Sequence, residues 1–203
     1  LLVGFFGTTM TYLLFFFGTQ MTSAINAAIL MQAEPIYSLF LGYFLLKEKI
    51  TSKQVAITLL IVAGVIVVIY RGATSLNLGD LLVVLTPLFY QISHVIAKNS
   101  MKRIGTFAVQ AGRYLSGGLI LFLISSLFGT NQFDLLLDQS NLTIILTLGL
   151  IVAGIGTLAF YEAIKRINLS KVTAMIAPYS ILSVIFGWFL LGEFPSIHQL
   201  VGL

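Results

Sequence analysis

Residues 38–48 read SLFLGYFLLKE, and residues 183–193 read SVIFGWFLLGE. Ser, Gly, Phe, Leu, Leu and Glu recur in register, and an aromatic residue follows Gly in both copies. The match extends in the same order on both sides: GTTMTY at 7–12 with GTLAFY at 156–161, and Gln54 with Gln199. Chance accounts for shared Leu and Phe in apolar segments, but not for collinear Gly, Tyr, Glu and Gln. The chain is therefore predicted to contain an internal repeat.

The sequence around these copies is too apolar for a water-soluble protein. It is 58% hydrophobic and 9% charged, with a mean hydropathy of +1.03. Its apolar runs are long enough to cross a bilayer and carry almost no charge. Membrane strands are disfavoured, because a barrel strand alternates apolar and polar residues over about ten positions. The predicted fold class is all-α integral membrane, a polytopic helical bundle.

Apolar runs of about 20 residues define the predicted transmembrane helices. They cover roughly 1–18, 22–46, 54–70, 81–97, 105–128, 142–163 and 172–191, and an eighth helix begins near 198. This gives seven full transmembrane helices plus the start of an eighth.

Basic residues occupy every second gap between these helices. Lysine-rich loops lie at 47–53, 98–103 and 165–171, whereas the other gaps contain one basic residue, Arg71. The positive-inside rule predicts that the lysine-rich loops are cytoplasmic and that the protein is a multi-pass protein of the plasma membrane. Because these cations sit in short separate gaps, the net charge of +4 does not indicate a nucleic-acid partner. The predicted partner is the lipid bilayer.

The charges around the two repeated glutamates predict an inverted repeat. Lysines surround Glu48 but not Glu193, so the two copies are expected to end on opposite sides of the membrane. Two predicted helices precede the Gly-Thr helix in the second copy and none precede it in the first. We therefore expect ten helices in the intact protein, with the first two and most of the last outside this chain. The predicted units are residues 1–75 and 76–203.

These features resemble the drug/metabolite transporter superfamily and, within it, the EamA-like permeases. The resemblance rests on AEP at 33–35, LLKE at 45–48, AGV at 63–65 and LLGE at 190–193. It implies a ten-helix transporter of small metabolites built from two repeats. One departure is that Pro35 precedes Glu48 by 13 positions whereas Pro178 precedes Glu193 by 15. We therefore expect the kink in the second copy about half a turn earlier.

Glu34 and Pro35 are the first candidates for a substrate site. They lie near the middle of the second predicted helix, where an ionised carboxylate facing lipid is costly and a proline frees a backbone carbonyl. Inverted-repeat transporters place their sites at this depth. The alternative is that Glu34 is a packing residue bonded to a neighbouring helix.

Further candidates come from polar residues inside the apolar runs. Tyr90, Gln91 and His94, with Pro87, lie on one broad helix face. His94 is equally compatible with a packing role. Weaker candidates for the substrate site, each equally able to bond two helices together, are Asn26, Gln32, Tyr161, Pro178 and Tyr179.

Four charged residues are assigned structural or gating roles. Arg113 and Glu162 are predicted at similar depth near the cytoplasmic ends of their helices, so we expect an ion pair between them. Glu48 and Glu193 lie at helix ends and are expected to make structural or gating contacts. With no cysteine and two isolated histidines, the sequence predicts no metal, no cofactor and no enzyme activity.

The predicted function is transport of small metabolites such as amino acids by alternating access. Two alternatives remain at this point. A phosphate-bearing substrate such as a nucleotide sugar would need cations in the cavity, and Arg113 is the one candidate. A nontransporting scaffold would bury its polar residues and leave no accessible cavity. A homodimer is left open, as are the substrate, the direction of transport and the energy source.

Overall fold

The computed structural model describes residues 1–69, 77–128, 139–176 and 178–203. All regular structure within these ranges is helical, and eight helical segments follow one another along the chain. They are α1 (Leu2–Thr19), α2 (Ala24–Leu46), α3 (Ser52–Ile69), α4 (Leu78–Ile104), α5 (Thr106–Leu127), α6 (Asn141–Arg166), α7 (Leu169–Leu191) and α8 (Ile197–Gly202). The polytopic all-α membrane fold is confirmed.

Six of the seven predicted full spans are long and apolar enough to cross a membrane. The exception is α3, whose apolar stretch Ser52–Val68 is shorter. The end of that prediction, residue 70, lies outside the described residues. α4 is longer than predicted, because the helix continues past the apolar run through Lys98 and ends at Gly105, which has a φ of 79°. Hydropathy marks the membrane-embedded part of this helix and misses its polar last turns.

The two helices that contain the repeated motif, α2 and α7, run antiparallel. The first half of α2, Ala24–Leu30, packs against Tyr179–Leu191 of α7, and the second half, Glu34–Leu46, packs against Leu169–Ile176. Since each half contacts the opposite half of its neighbour, the two helices point in opposite directions.

Both helices are interrupted near their centres. A short 3-10 turn at Met31–Ala33 divides α2, and the helix resumes over Glu34–Leu46. The second half of α7 is Tyr179–Leu191, of the same 13-residue length. Glu34 and Tyr179 each lie 14 positions before the repeated glutamate, so the helices resume at equivalent positions. The resumed segment of α7 therefore does not begin half a turn earlier, as the proline positions had predicted. Pro178 is the N-cap of that segment, whereas Pro35 lies inside the first turn of Glu34–Leu46.

Two stretches of wide helical turn lie near the two Gly-Thr pairs. Phe5–Met10 of α1 and Leu148–Gly156 of α6 are π-helical. Both stretches contain or adjoin the repeated Gly-Thr pair, at Gly7 and at Gly156. π-Helical turns are rare and often occur at functional sites. The sequence pattern did not predict them.

The described segments between the helices lie at the two opposite ends of the bundle. At one end Lys98 Nζ donates to the Ile167 carbonyl (2.8 Å) and Gln54 Nε2 donates to Ser170 Oγ (3.0 Å), which joins the three lysine-rich loops. At the other end Asn77 Nδ2 donates to the Met21 carbonyl (2.8 Å). We call the first the lysine-rich end and the second the Glu193 end. Their separation agrees with the alternation predicted from charge.

Candidate functional site

A buried carboxylate lies at the middle of α2. Glu34 is residue 11 of the 23 in this helix, and it is 6% exposed. Its Oε1 accepts a hydrogen bond of 2.6 Å from Nε2 of Gln91, which α4 places opposite it. Because the break at Met31–Ala33 precedes Glu34, its side chain leaves the helix where the backbone is already irregular. The structure therefore brings together two residues that the sequence placed on separate helices.

Arg113 of α5 lies beside this pair and is 1% exposed. Its guanidinium donates to the Gly7 carbonyl (2.5 Å), to Thr8 Oγ1 (3.2 Å) and to the Tyr161 hydroxyl (3.2 Å). It also lies over the Tyr90 ring, 4.9 Å from the ring centroid. The π-helical turn of α1 supplies Gly7 and Thr8. Arg113 is thus surrounded by neutral oxygens and aromatic rings.

The predicted ion pair between Arg113 and Glu162 is wrong. Glu162 accepts a hydrogen bond from Thr106 and lies near Lys165 (3.7 Å) and Arg166 (3.4 Å). Glu162 contacts α5 at Thr106, seven residues before Arg113, so the two charged side chains lie apart along the helix as well as on different faces. Arg113 faces the interior of the bundle and Glu162 faces its surface.

His94 lies one turn along α4 from Tyr90 and is fully buried. Its ring is 4.2 Å from the Tyr90 ring and 4.5 Å from that of Phe160, measured between centroids. Neither ring nitrogen has a hydrogen-bond partner among the described residues. Tyr90 interacts electrostatically with both Glu34 and Arg113. We call this group the central polar cluster, and its members are Glu34, Tyr90, Gln91, His94, Arg113 and Tyr161.

A cavity of about 710 Å³ lies between α1, α2 and α7. Its wall is mostly apolar. It reaches from Tyr179 and Met31, near the middle of their helices, to Thr22 and Glu193 at the end of the bundle. Met31, which lines the cavity, lies three residues before Glu34 in α2. The carboxylate of Glu34 does not itself line this cavity.

The remaining candidates lie elsewhere. Gln32 and Pro178 line a separate cavity of about 340 Å³ beside α3. Pro35 borders a small void next to Gln54. Asn26 is eight residues before Glu34, about 12 Å along a helix, and its Nδ2 donates to Asp80 Oδ1 (2.6 Å) and Thr22 Oγ1 (3.0 Å). Asn26 therefore belongs to a polar network at the Glu193 end and not to the central polar cluster.

Sequence reasoning missed Asp80 and Thr8. Asp80 was assigned to a gap but is 3% exposed, in the first turn of α4, where it accepts from Asn26 and Thr22. The signal was the pattern Asn77-x-x-Asp80, since Asn at a helix cap with an acid in the first turn marks a helix start. Thr8 belongs to the repeated Gly-Thr pair, whose recurrence indicated importance without indicating contact with Arg113.

The fold and the site together define a class of protein: a polytopic helical membrane protein with interrupted antiparallel helices and a buried polar centre beside a cavity. Interrupted helices with buried charges at mid-membrane depth are typical of secondary transporters. Comparison with known families is more specific. The chain matches the EamA-like transporter family over residues 1–70 and 77–203, and it belongs to this family.

Individual relatives of this chain are described as uncharacterized transporters. The chain is 27% identical over 205 residues to an uncharacterized transporter of Methanothermobacter thermautotrophicus, covering 98% of this chain and 59% of the relative. It is 24% identical over 201 residues to one of Synechocystis sp., covering 93% of this chain and 57% of the relative. It is also 26% identical over 212 residues to the uncharacterized transporter YyaM of Bacillus subtilis, covering 99% of this chain and 67% of the relative. The chain thus spans somewhat more than half the length of the first two relatives.

A solved crystal structure of a protein shares the fold. The TM-score is 0.72 at 20% sequence identity, and the match covers 98% of this chain and 69% of that chain. At this identity the likeness concerns the arrangement of helices alone.

Proposed function

We propose that this chain forms the greater part of a permease for small polar or amphipathic metabolites, with amino acids as the favoured class. The observation that carries the proposal is the buried Glu34 carboxylate. It lies at mid-span with the Gln91 amide as its hydrogen-bond donor, and Met31, three residues before it, lines a 710 Å³ cavity. An acidic group at that depth is costly, and such groups generally mark substrate or ion pathways.

The charge pattern of the central polar cluster supports an amino acid. Glu34 is a mid-span acceptor bonded to Gln91, the residue after Tyr90, and the Arg113 guanidinium lies over the Tyr90 ring. The ammonium group of an amino acid complements the Glu34 carboxylate. The apolar wall of the cavity adds a surface for an aliphatic or aromatic side chain.

The two alternatives are less well supported. A phosphate-bearing substrate needs free cationic donors, whereas Arg113 is already bonded to Gly7, Thr8 and Tyr161. A scaffold without transport activity would not need a cavity that reaches Met31 and Tyr179, near the middle of their helices.

The proposed mechanism is alternating access between two related halves, residues 1–75 and 76–203. The antiparallel α2 and α7, each broken near its centre, would rock about the central polar cluster. We place the lysine-rich end in the cytoplasm and the protein in the plasma membrane, following the positive-inside rule.

The test is transport of a radiolabelled amino-acid mixture into proteoliposomes that contain the whole protein. Glu34→Gln keeps a hydrogen-bonding group of the same size, and Glu34→Ala removes it. We expect both variants to lose transport at least tenfold while eluting as folded protein in size-exclusion chromatography. Glu162→Gln, an acid at the surface of the same bundle, should transport normally. Unchanged transport by the Glu34 variants would contradict the proposed site.

A further inference from the structure

Two glutamates connect α2 and α7 reciprocally. Glu193 follows the end of α7, and its two carboxylate oxygens accept from the backbone amides of Ala24 and Ile25, both at 3.0 Å. Glu48 follows the end of α2, and its Oε1 accepts from the backbone amide of Leu169 at 2.9 Å. Each glutamate therefore binds the first turn of the other helix.

The backbone presents both carboxylates in the same way. Lys47 and Gly192, the residues before the glutamates, have positive φ angles of 54° and 67°. Glu48 N donates to the Gly42 carbonyl (3.0 Å), and Glu193 N donates to the Gly187 carbonyl (3.3 Å). A left-handed residue closed by such a bond is a recognised helix ending that turns the chain sharply. The turn holds each glutamate beside the end of its own helix.

A second hydrogen bond accompanies each carboxylate. Gln54 Nε2 donates to Ser170 Oγ (3.0 Å), next to the Glu48 contact, and Gln199 Nε2 donates to Ser23 Oγ (3.4 Å), next to the Glu193 contact. Gln54 and Gln199 are the pair already matched in the repeated sequence. We call Glu48 with Gln54 the inner latch and Glu193 with Gln199 the outer latch.

The two latches differ in strength. Glu48 also receives a bond of 2.9 Å from Lys98 Nζ, and its side chain is 7% exposed. Glu193 is half-buried, borders the 710 Å³ cavity and has no Lys or Arg partner in the part of the chain that the structure describes. An ion pair in a desolvated place is held more strongly than a carboxylate bonded to backbone amides alone in a wetter place. The outer latch should therefore open more readily.

We propose that the inner and outer latches are the two gates of the transport cycle, each closing one end of the α2–α7 pair. This inference rests on the proposed transport function. Opening an end requires its carboxylate to leave the free amides of a helix N-terminus, which then need another partner. Opening both ends together would leave the backbone amides of both helix N-termini without hydrogen-bond partners. The paired latches thus disfavour a continuous leak while allowing either end to open alone.

The experiment measures access to the cavity without substrate. The sequence contains no cysteine, so a single Ala28→Cys change places one thiol in the wall of the 710 Å³ cavity. A membrane-impermeant maleimide is added to oriented vesicles from the Glu193 end. In this background Glu193→Ala should raise the labelling rate at least fivefold, and Glu48→Ala should lower it, because the lysine-rich end then opens instead. Glu162→Gln is the control and should leave the rate unchanged.

Shifts in the same direction for the two latch variants, or no shift in either, would overturn the proposal. If the glutamate variants fail to accumulate, Gln199→Ala and Gln54→Ala weaken the same latches more gently. Gln199→Ala should raise the labelling rate and Gln54→Ala should lower it. Shifts of the two rates in the same direction would overturn the proposal. Because labelling needs no substrate, its outcome is independent of the transport test on Glu34. Failure of one test does not imply failure of the other.

Discussion

At the scale of single residues, Arg113 is a full positive charge enclosed by groups without a full negative charge. Its donors are satisfied by one backbone carbonyl and two hydroxyls, and its flat face lies against Tyr90. Arginine suits this position because a planar guanidinium directs several donors at once and stacks on a ring. A lysine could reach one or two of these oxygens but not all three.

Arg113→Lys should therefore destabilise the protein by about 3 kcal/mol, the loss expected for hydrogen bonds to a buried charged group. Denaturant unfolding in detergent micelles measures this free energy. The matched control is Arg166→Lys, whose side chain is 77% exposed and which should change stability by less than about 0.5 kcal/mol. Equal effects at the two positions would contradict the interior role of Arg113.

Part of the site was predictable at this scale. Glu34, Tyr90, Gln91, His94 and Tyr161 were each selected because polar groups are costly inside apolar spans, and the structure places them in one cluster. Arg113 was assigned to the wrong partner, and Asn26, a weaker candidate equally able to bond two helices together, bonds Asp80 of α4 outside the cluster. Sequence gives depth along a helix, but the rotation that decides which side chains meet is set by packing between helices.

At the scale of helices, contact between α1 and α5 depends on Gly117. A Cβ added at Gly117 would meet the Thr8 side chain and the carbonyl oxygen of Gly4, whereas one at the adjacent Gly118 would meet nothing within 4 Å. Small residues allow transmembrane helices to approach closely. The two neighbouring glycines thus have different surroundings on one helix.

Gly117→Ala should destabilise the protein by about 1–3 kcal/mol, because the added methyl group forces the helices apart. Gly118→Ala should be neutral or stabilising by up to about 1 kcal/mol, through the higher helix propensity of alanine. The same unfolding experiment compares the two variants. The packing account fails if Gly118→Ala is the more damaging change.

Helix positions were the most predictable feature, because apolar runs of bilayer length define them directly. The antiparallel packing of α2 and α7 also agrees with the orientation inferred from the lysines around Glu48. The π-helical turns at Phe5–Met10 and Leu148–Gly156 were not foreseen. Their wide geometry depends on neighbouring helices, and hydropathy carries no information about it.

At the scale of the whole molecule, the cavity and the central polar cluster both reach the middle of α2. The cavity reaches Met31, three residues before Glu34, from the Glu193 end of the bundle. The cluster itself is enclosed, with Gln91 and His94 fully buried. The proposed alternating access requires that this depth be open first to one side of the membrane and then to the other.

The most direct measurement of alternating access is therefore the sidedness of a single thiol at Met31→Cys in the whole protein. Membrane-impermeant maleimide should label it from either side of oriented vesicles, in separate experiments, and the radiolabelled amino-acid mixture should slow both reactions. Labelling from the Glu193 end alone would show that the pocket is accessible from one side of the membrane only, which would contradict alternating access.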